Sequence, residues 1–315
     1  MALIRRKRQL AAKVESTKGT AETLSASDAG ILVEDLTCEP DFTFAERNPL
    51  RSDLSTMPSM AARKVATVTC RVEVKGSGTA DTPPSWGVLL KGCGFRETIN
   101  SGTSVVYEPD SDDDDTDTLT LGFYNDGRAV VVYGARGNVS LECTANGVCY
   151  FVFTFTGIYQ DTTDTAMLSG ITYESTLPPQ FRSANLTLNF GSAWSSGVFS
   201  SLTLDMANEV VLRDNANASN GLSYAMITGR DPGGTIDFDS PLVADQDFYG
   251  LMEGSETGSL AFDIGSESGN HISFSAPAFQ IIDIGDGDRD GISVDNITYK
   301  LRRNSGDDEL TITHQ

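Results

Sequence analysis

The 315-residue sequence is poor in the residues that catalysis and metal binding usually draw on. It has two histidines, His271 and His314, and no HExxH, GxSxG, P-loop or Ser-His-Asp order. Gly76-Ser77-Gly78 follows a strand-like run but lacks the rest of a phosphate loop. The five cysteines (Cys38, Cys70, Cys93, Cys143 and Cys149) are odd in number, contain no CxxC and stop at residue 149. That excludes a disulfide framework and a zinc site, and it reads as buried free thiols in a reducing compartment. No apolar run approaches the roughly 20 residues that a spanning helix needs. The basic start, Arg5-Arg6-Lys7-Arg8, leads into no apolar core, so it does not read as a secretory signal. Basic residues are few, 23 against 44 acidic, for a formal charge of −21. Such a chain is unsuited to gripping nucleic acid through phosphates or docking on anionic membranes.

What is present is strand patterning. Residues 1–75 hold 12 basic and 10 acidic residues, so the acidity belongs to the rest of the chain. Val68, Cys70, Val72 and Val74 alternate with polar neighbours, as do Phe151, Phe153 and Phe155, Leu186, Leu188 and Phe190, and Leu202, Leu204 and Met206. A period of two over β-branched and aromatic residues marks half-buried strands. Asn125-Asp126-Gly127, Asn146-Gly147 and Ser268-Gly269-Asn270 supply hairpin turns. Two short helices are expected, over 83–92 behind Pro83-Pro84 and over 241–252 with Asp245 as its cap. The fold class is mainly β, of sandwich or barrel type.

The elements recur in order. Leu50-Arg51-Ser52-Asp53 is echoed by Leu212-Arg213-Asp214-Asn215, and each is followed by a polar stretch, a strand and a short helix. The strand and turn around Gly127 are matched by those around Gly269. The reading is two tandem copies of one β unit, 1–177 and 178–315, the first with extra residues before its Gly127 turn.

Two acidic clusters invite a metal. Residues 110–117 carry six aspartates in eight positions, which reads as a solvated, self-repelling loop. Asp286, Asp288 and Asp290 with Gly291 reproduce the first half of an EF-hand calcium loop. The twelfth position is Ile297 rather than an acid, so an acidic hairpin tip is the first reading.

Several stretches together carry a family resemblance: residues 11–24 (AAKVESTKGTAETL), Glu46-Arg47-Asn48-Pro49-Leu50-Arg51, and Val74-Lys75-Gly76-Ser77-Gly78 through Pro83-Pro84 to Gly92-Cys93-Gly94-Phe95. In the second half Asn208-Glu209-Val210-Val211-Leu212-Arg213 and Gly306-Asp307-Asp308-Glu309-Leu310-Thr311 join them. In this order they resemble the major tail tube proteins of long-tailed, non-contractile bacteriophages. The resemblance implies tail-tube-like β-sandwich or barrel units, each flanked by a helix, stacked as rings around a channel. That channel holds a tape-measure protein and later conducts double-stranded DNA. It also implies tail terminator and tip proteins as partners, a place in the virion tail after synthesis in the host bacterial cytoplasm, no membrane, no cofactor and no enzyme activity. Rings of this family usually have six tube units, so a two-unit chain is expected to close a ring from three subunits, with six as the alternative.

On this reading Arg51, Asp53, Met57, Pro58 and Met60 in one stretch, and Arg213, Asp214 and Asn215 in the other, belong to loops that contact an adjacent subunit or ring. Met57, Pro58 and Met60 favour burial there. The N-terminal arm, residues 1–32, is expected to pack on neighbours, because Leu3, Ile4, Leu10, Val14 and Leu24 have no evident core of their own. The acidic body predicts an acidic lumen that repels DNA at close range. The alternative is a carbohydrate-binding or adhesin-like β-sandwich decorating a tail, with Trp86 and Trp194 as its only indole platforms. An immunoglobulin-like second half, which lacks the Cys…Trp…Cys pattern, and a calcium-dependent enzyme stand further off.

Overall fold

A computed structural model of the chain describes residues 3–315. The protein is mainly β, with 51% of residues in strands and 5% in helices. The first half contains β1 (Arg8–Val14), β2 (Glu34–Ala45), β3 (Met60–Glu73), α1 (Gly87–Lys91), β4 (Phe95–Asn100), β5 (Ser104–Pro109), β6 (Leu119–Asn125), β7 (Arg128–Thr144), β8 (Tyr150–Tyr159) and β9 (Thr163–Asp164). The second contains β10 (Thr187–Asn189), β11 (Ala193–Trp194), β12 (Phe199–Asp205), β13 (Glu209–Asp214), β14 (Leu222–Gly229), β15 (Gly233–Asp239), α2 (Phe248–Glu253), β16 (Thr257–Glu267), β17 (Asn270–Arg289), β18 (Ile292–Leu301) and β19 (Thr311–His314).

The turns form where the sequence places them. Asp126 and Gly127 both have positive φ, 45° and 103°, as a two-residue hairpin of matching twist requires. Gly269 does the same between β16 and β17, at φ 77°. The expected helices are shorter than the sequence suggests. The cap of α2 is Asp247, not Asp245: its Oδ1 accepts the Gly250 N–H at 2.8 Å. Asp245 is spent one turn earlier, where its own N–H bonds the Leu242 carbonyl.

All registered strand pairs are antiparallel, and seven of the pairings build one continuous sheet. Its order is β2-β3-β8-β7-β12-β15-β18-β17. The order within the first four strands repeats in the last four. On the other side of β7, β6 pairs with β1; on the other side of β17, β16 pairs with β10. β7 and β17 serve both layers because they are long, 17 and 20 residues, and each carries bulges that bend it.

The alternating side chains of this sheet bury one face. Phe151, Phe153 and Phe155 of β8 are buried, whereas Thr154 between them is exposed. Trp86, just before α1, is fully buried against Phe151, with centroids 5.2 Å apart. Phe248 of α2 stacks on Phe238 of β15 at 5.5 Å. The halves share one apolar core, which runs unbroken from Leu10 to Ile312. The last strand, β19, lies between β5 and β17 and ties the β4–β5 hairpin of the first half to the second.

Candidate assembly surfaces

Each half extends its first hairpin into an arm. In the first, β2 and β3 stay paired out to Ala45 and Met60, and residues 46–59 close the end. That loop is folded on itself. Arg51 Nη2 donates to the Ser55 carbonyl at 2.9 Å, and Asp53 Oδ1 accepts the Ser55 N–H at 2.9 Å. The described residues leave most of it exposed. Leu50 and Leu54 are fully exposed, Met60 is 59% exposed, Pro58 is exposed and Met57 is half-buried. Of the three residues expected to be buried, Met57 is half-buried within the loop, whereas the described residues leave Pro58 and Met60 exposed.

The second arm is β13 and β14, with Arg213 and Asp214 on the strand and Asn215 opening the turn 215–221. This stretch is not a long loop. Asn215 N–H bonds the Gly221 carbonyl at 2.8 Å, and the Asn215 carbonyl accepts Ala218 N–H. The arm packs on the chain's own first half. Leu212, Leu222 and Ala225 form a buried cluster with Val65 and Ile158. Asn220 Nδ2 donates to the Tyr133 hydroxyl at 2.7 Å, and Arg63 Nη2 to the Leu212 carbonyl at 2.9 Å.

The N-terminal arm also departs from expectation. Leu10 is buried on β1, Val14 packs on the main core, and Leu24 packs beside Ala11, Ala29 and Tyr124. Only Leu3 and Ile4 remain exposed. β1 finds its place by pairing with β6, a contact some 110 residues away in sequence that local patterning does not announce.

The aspartate run is not a free loop. Arg136, 2% exposed, forms an ion pair with Asp113 and donates to the Asp117 and Thr116 carbonyls. Tyr224 of the second arm donates its hydroxyl to Asp113 at 2.8 Å. Burial pushes the Asp113 carboxyl up, but the bonds from Tyr224 and Arg136 outweigh it and hold the carboxyl below its ordinary value. Asp110 pairs with Arg96 and Asp117 with Lys91. Only Asp112, Asp114 and Asp115 face solvent. The self-repelling loop is thus corrected to a strap fastened to both halves.

Asp286 and Asp288 lie on β17, opposite Asp295 and Ser293, and Asp290-Gly291 makes the turn into β18. Among the described residues no group of three or more His, Cys, Asp or Glu is gathered to hold a metal ion. Extended strand carries the first two aspartates where a calcium loop would need a compact turn. Of the two tryptophans, Trp86 is buried and bonds the Lys75 carbonyl, and Trp194 meets Phe238 and Phe248 edge-on at 5.2 Å. Trp194 is half-buried. Among the described residues no helix is long and apolar enough to cross a membrane.

No protein-family model matches the chain, and no curated protein matches it.

Proposed function

We propose that the protein is a structural subunit of a bacteriophage tail tube, built from two tandem tail-tube-like β units and without enzyme activity. The observation that carries this reading is the repeated sheet. Each half contributes four strands in the same order to one continuous eight-strand sheet. Each half also places a short helix on its buried face. A sheet that repeats head to tail within a chain can repeat again between chains. Such a heterologous contact closes into a ring or propagates as a filament. Three chains would give the ring six units.

The exposed arm end supports the same reading. Leu50, Leu54 and Met60 are apolar and exposed at the end of one arm, the kind of surface a partner covers. The rings stack around a channel that holds the tape-measure protein and then passes double-stranded DNA, with terminator and tip proteins at the tube's ends. DNA carries one charge per about 1.7 Å of axis. An acidic wall repels it over a Debye length of about 8 Å, so it slides without sticking.

Negative-stain electron microscopy of the purified protein tests the proposal. Hollow tubes with a regular axial repeat are expected, and their rotational symmetry decides between three and six chains per ring. Monomers under every salt condition would overturn it.

A further inference from the structure

The chain already contains one joint between its halves: β12 runs antiparallel along Ser140–Thr144 of β7. The strand that holds β12's place in the first half is β2. The stretch that holds the place of 140–144 in the second half is 283–289 of β17. Among the described residues, β2 pairs only with β3, and 283–289 pair only with β18. The sheet therefore ends in two bare edges that correspond to the two members of its internal joint.

The edges also differ in charge. A groove of about 510 Å³ runs along β2 and is lined by Arg5, Arg6 and Arg8 together with Asp35, Leu36 and Thr37. Arg8 Nη1 donates to the Leu36 carbonyl at 2.7 Å, and its buried Nε has no partner among the described residues. Arg5 and Arg6 are exposed and form no ion pair among those residues. On the opposite edge, Asp286, Asp288 and Asp290 are likewise unpaired, although Arg289 between them is held by Asp237 and Asp239. The free arginines stand beside β2, whose own Glu34, Asp35, Glu39 and Asp41 also form no ion pair among the described residues, whereas the other end carries carboxylates whose one arginine, Arg289, is already held.

We infer that the acidic β17–β18 hairpin of one copy docks in the arginine groove of the next, adding its 283–289 edge to β2. This names the partner surface of the proposed assembly and rests on that reading. It puts the first arm of each chain over the second half of its neighbour, as the β13–β14 arm lies over the first half within the chain. Opposed charges at an edge set the register and the choice of partner.

A charge swap in the full chain tests it. One variant carries Asp286→Lys and Asp288→Lys, the other Arg5→Glu and Arg6→Glu; all four side chains are exposed, so each variant should keep the wild-type circular dichroism. Each alone should lose tubes and sediment as monomer where the wild type polymerises. A chain carrying all four substitutions should polymerise again, because each altered edge then meets its match in every neighbour. A second measurement uses Cys38 on β2. Gly285→Cys, Asp286→Cys, Gly287→Cys and Asp288→Cys are made singly and oxidised in the assembled state. Facing strands hold Cα atoms about 4.5–5.5 Å apart, within disulfide reach. One of the four should yield covalent oligomers that Cys38→Ser abolishes. Tubes that persist in both charge variants, a fourfold variant that stays monomeric, or tubes that cross-link at none of the four positions would overturn the docking and leave the tube standing. A wild type that never leaves the monomer overturns both.

Discussion

At the residue scale, the polar groups that the fold buries are the ones it depends on most. Glu15 is 6% exposed and accepts four hydrogen bonds: from Thr118 at 2.6 Å, Thr120 at 2.9 Å, Gly134 N–H at 2.6 Å and Gly19 N–H at 2.7 Å. Gly134, at φ +57°, turns β7 at its bulge, so this carboxylate fixes the bend that lets β7 serve two layers. Glu15→Leu strands two buried N–H groups and should cost about 2–4 kcal/mol in urea unfolding. A loss below about 0.5 kcal/mol would show that water replaces the carboxylate. His314 is fully buried, with its Nε2 on the Gly269 carbonyl at 3.1 Å and Glu174 and His271 nearby. Burial pulls its pKa below the ordinary 6.5, and the nearby acceptors and Glu174 only partly oppose this. The folded state resists the proton that the unfolded chain accepts. The wild type should therefore lose stability relative to His314→Gln as the pH falls below about 6.5, and not above it. Parallel stability profiles from pH 7.5 to 5.5 would refute the effect. None of this was legible in advance. A glutamate in a polar stretch and His314 give no signal of burial, which comes mostly from partners more than forty residues away.

At the scale of elements, periodicity and turn chemistry served well, and the reason is local. The alternation at Val68–Val74 and Phe151–Phe155 and the glycines at 127 and 269 record which face is buried and where φ must be positive. The arms were read less well, because both look polar in sequence. Only tertiary packing distinguishes 46–59, which is exposed, from 215–221, whose Asn220 bonds the Tyr133 hydroxyl. Their difference gives a prediction. Removing residues 49–56 and leaving the Ala45–Met60 pairing intact should lower the melting temperature by no more than about 2 °C, since no buried contact is lost. On the proposed function the same deletion should abolish tubes. Normal tubes would mean that the exposed Leu50 and Leu54 serve no contact. Arg136 makes the complementary case. Replaced by Met, it should release the aspartate strap to proteolysis at 110–117 without unfolding the sheet, and unchanged protease resistance would show that the bond from Tyr224 suffices.

At the scale of the molecule, the echo between Arg51 and Arg213 and between Gly127 and Gly269 in sequence has a counterpart in the pairing order of the strands. The shared core was not foreseeable from it, because a repeat in sequence says nothing about how two copies pack. Phe151 of the first half lies 6.3 Å from Phe274 of the second, within one apolar cluster. The protein should therefore melt in one calorimetric transition with van't Hoff and calorimetric enthalpies equal. Two resolved transitions would mean that the halves are separable after all.

The position of β19 has a consequence for the order in which the molecule is made. Residues 311–314 fill the gap between β5 and β17, so a ribosome must pass residue 314 before β5, some two hundred residues earlier, acquires its second neighbour. Until then the nascent first half carries an open strand edge and an uncovered aromatic face. Closing them needs contacts across most of the chain, the kind that form slowly. Synthesis itself thus sets the earliest moment at which a finished subunit can exist, and the interval before it is when the chain is most exposed to mispairing.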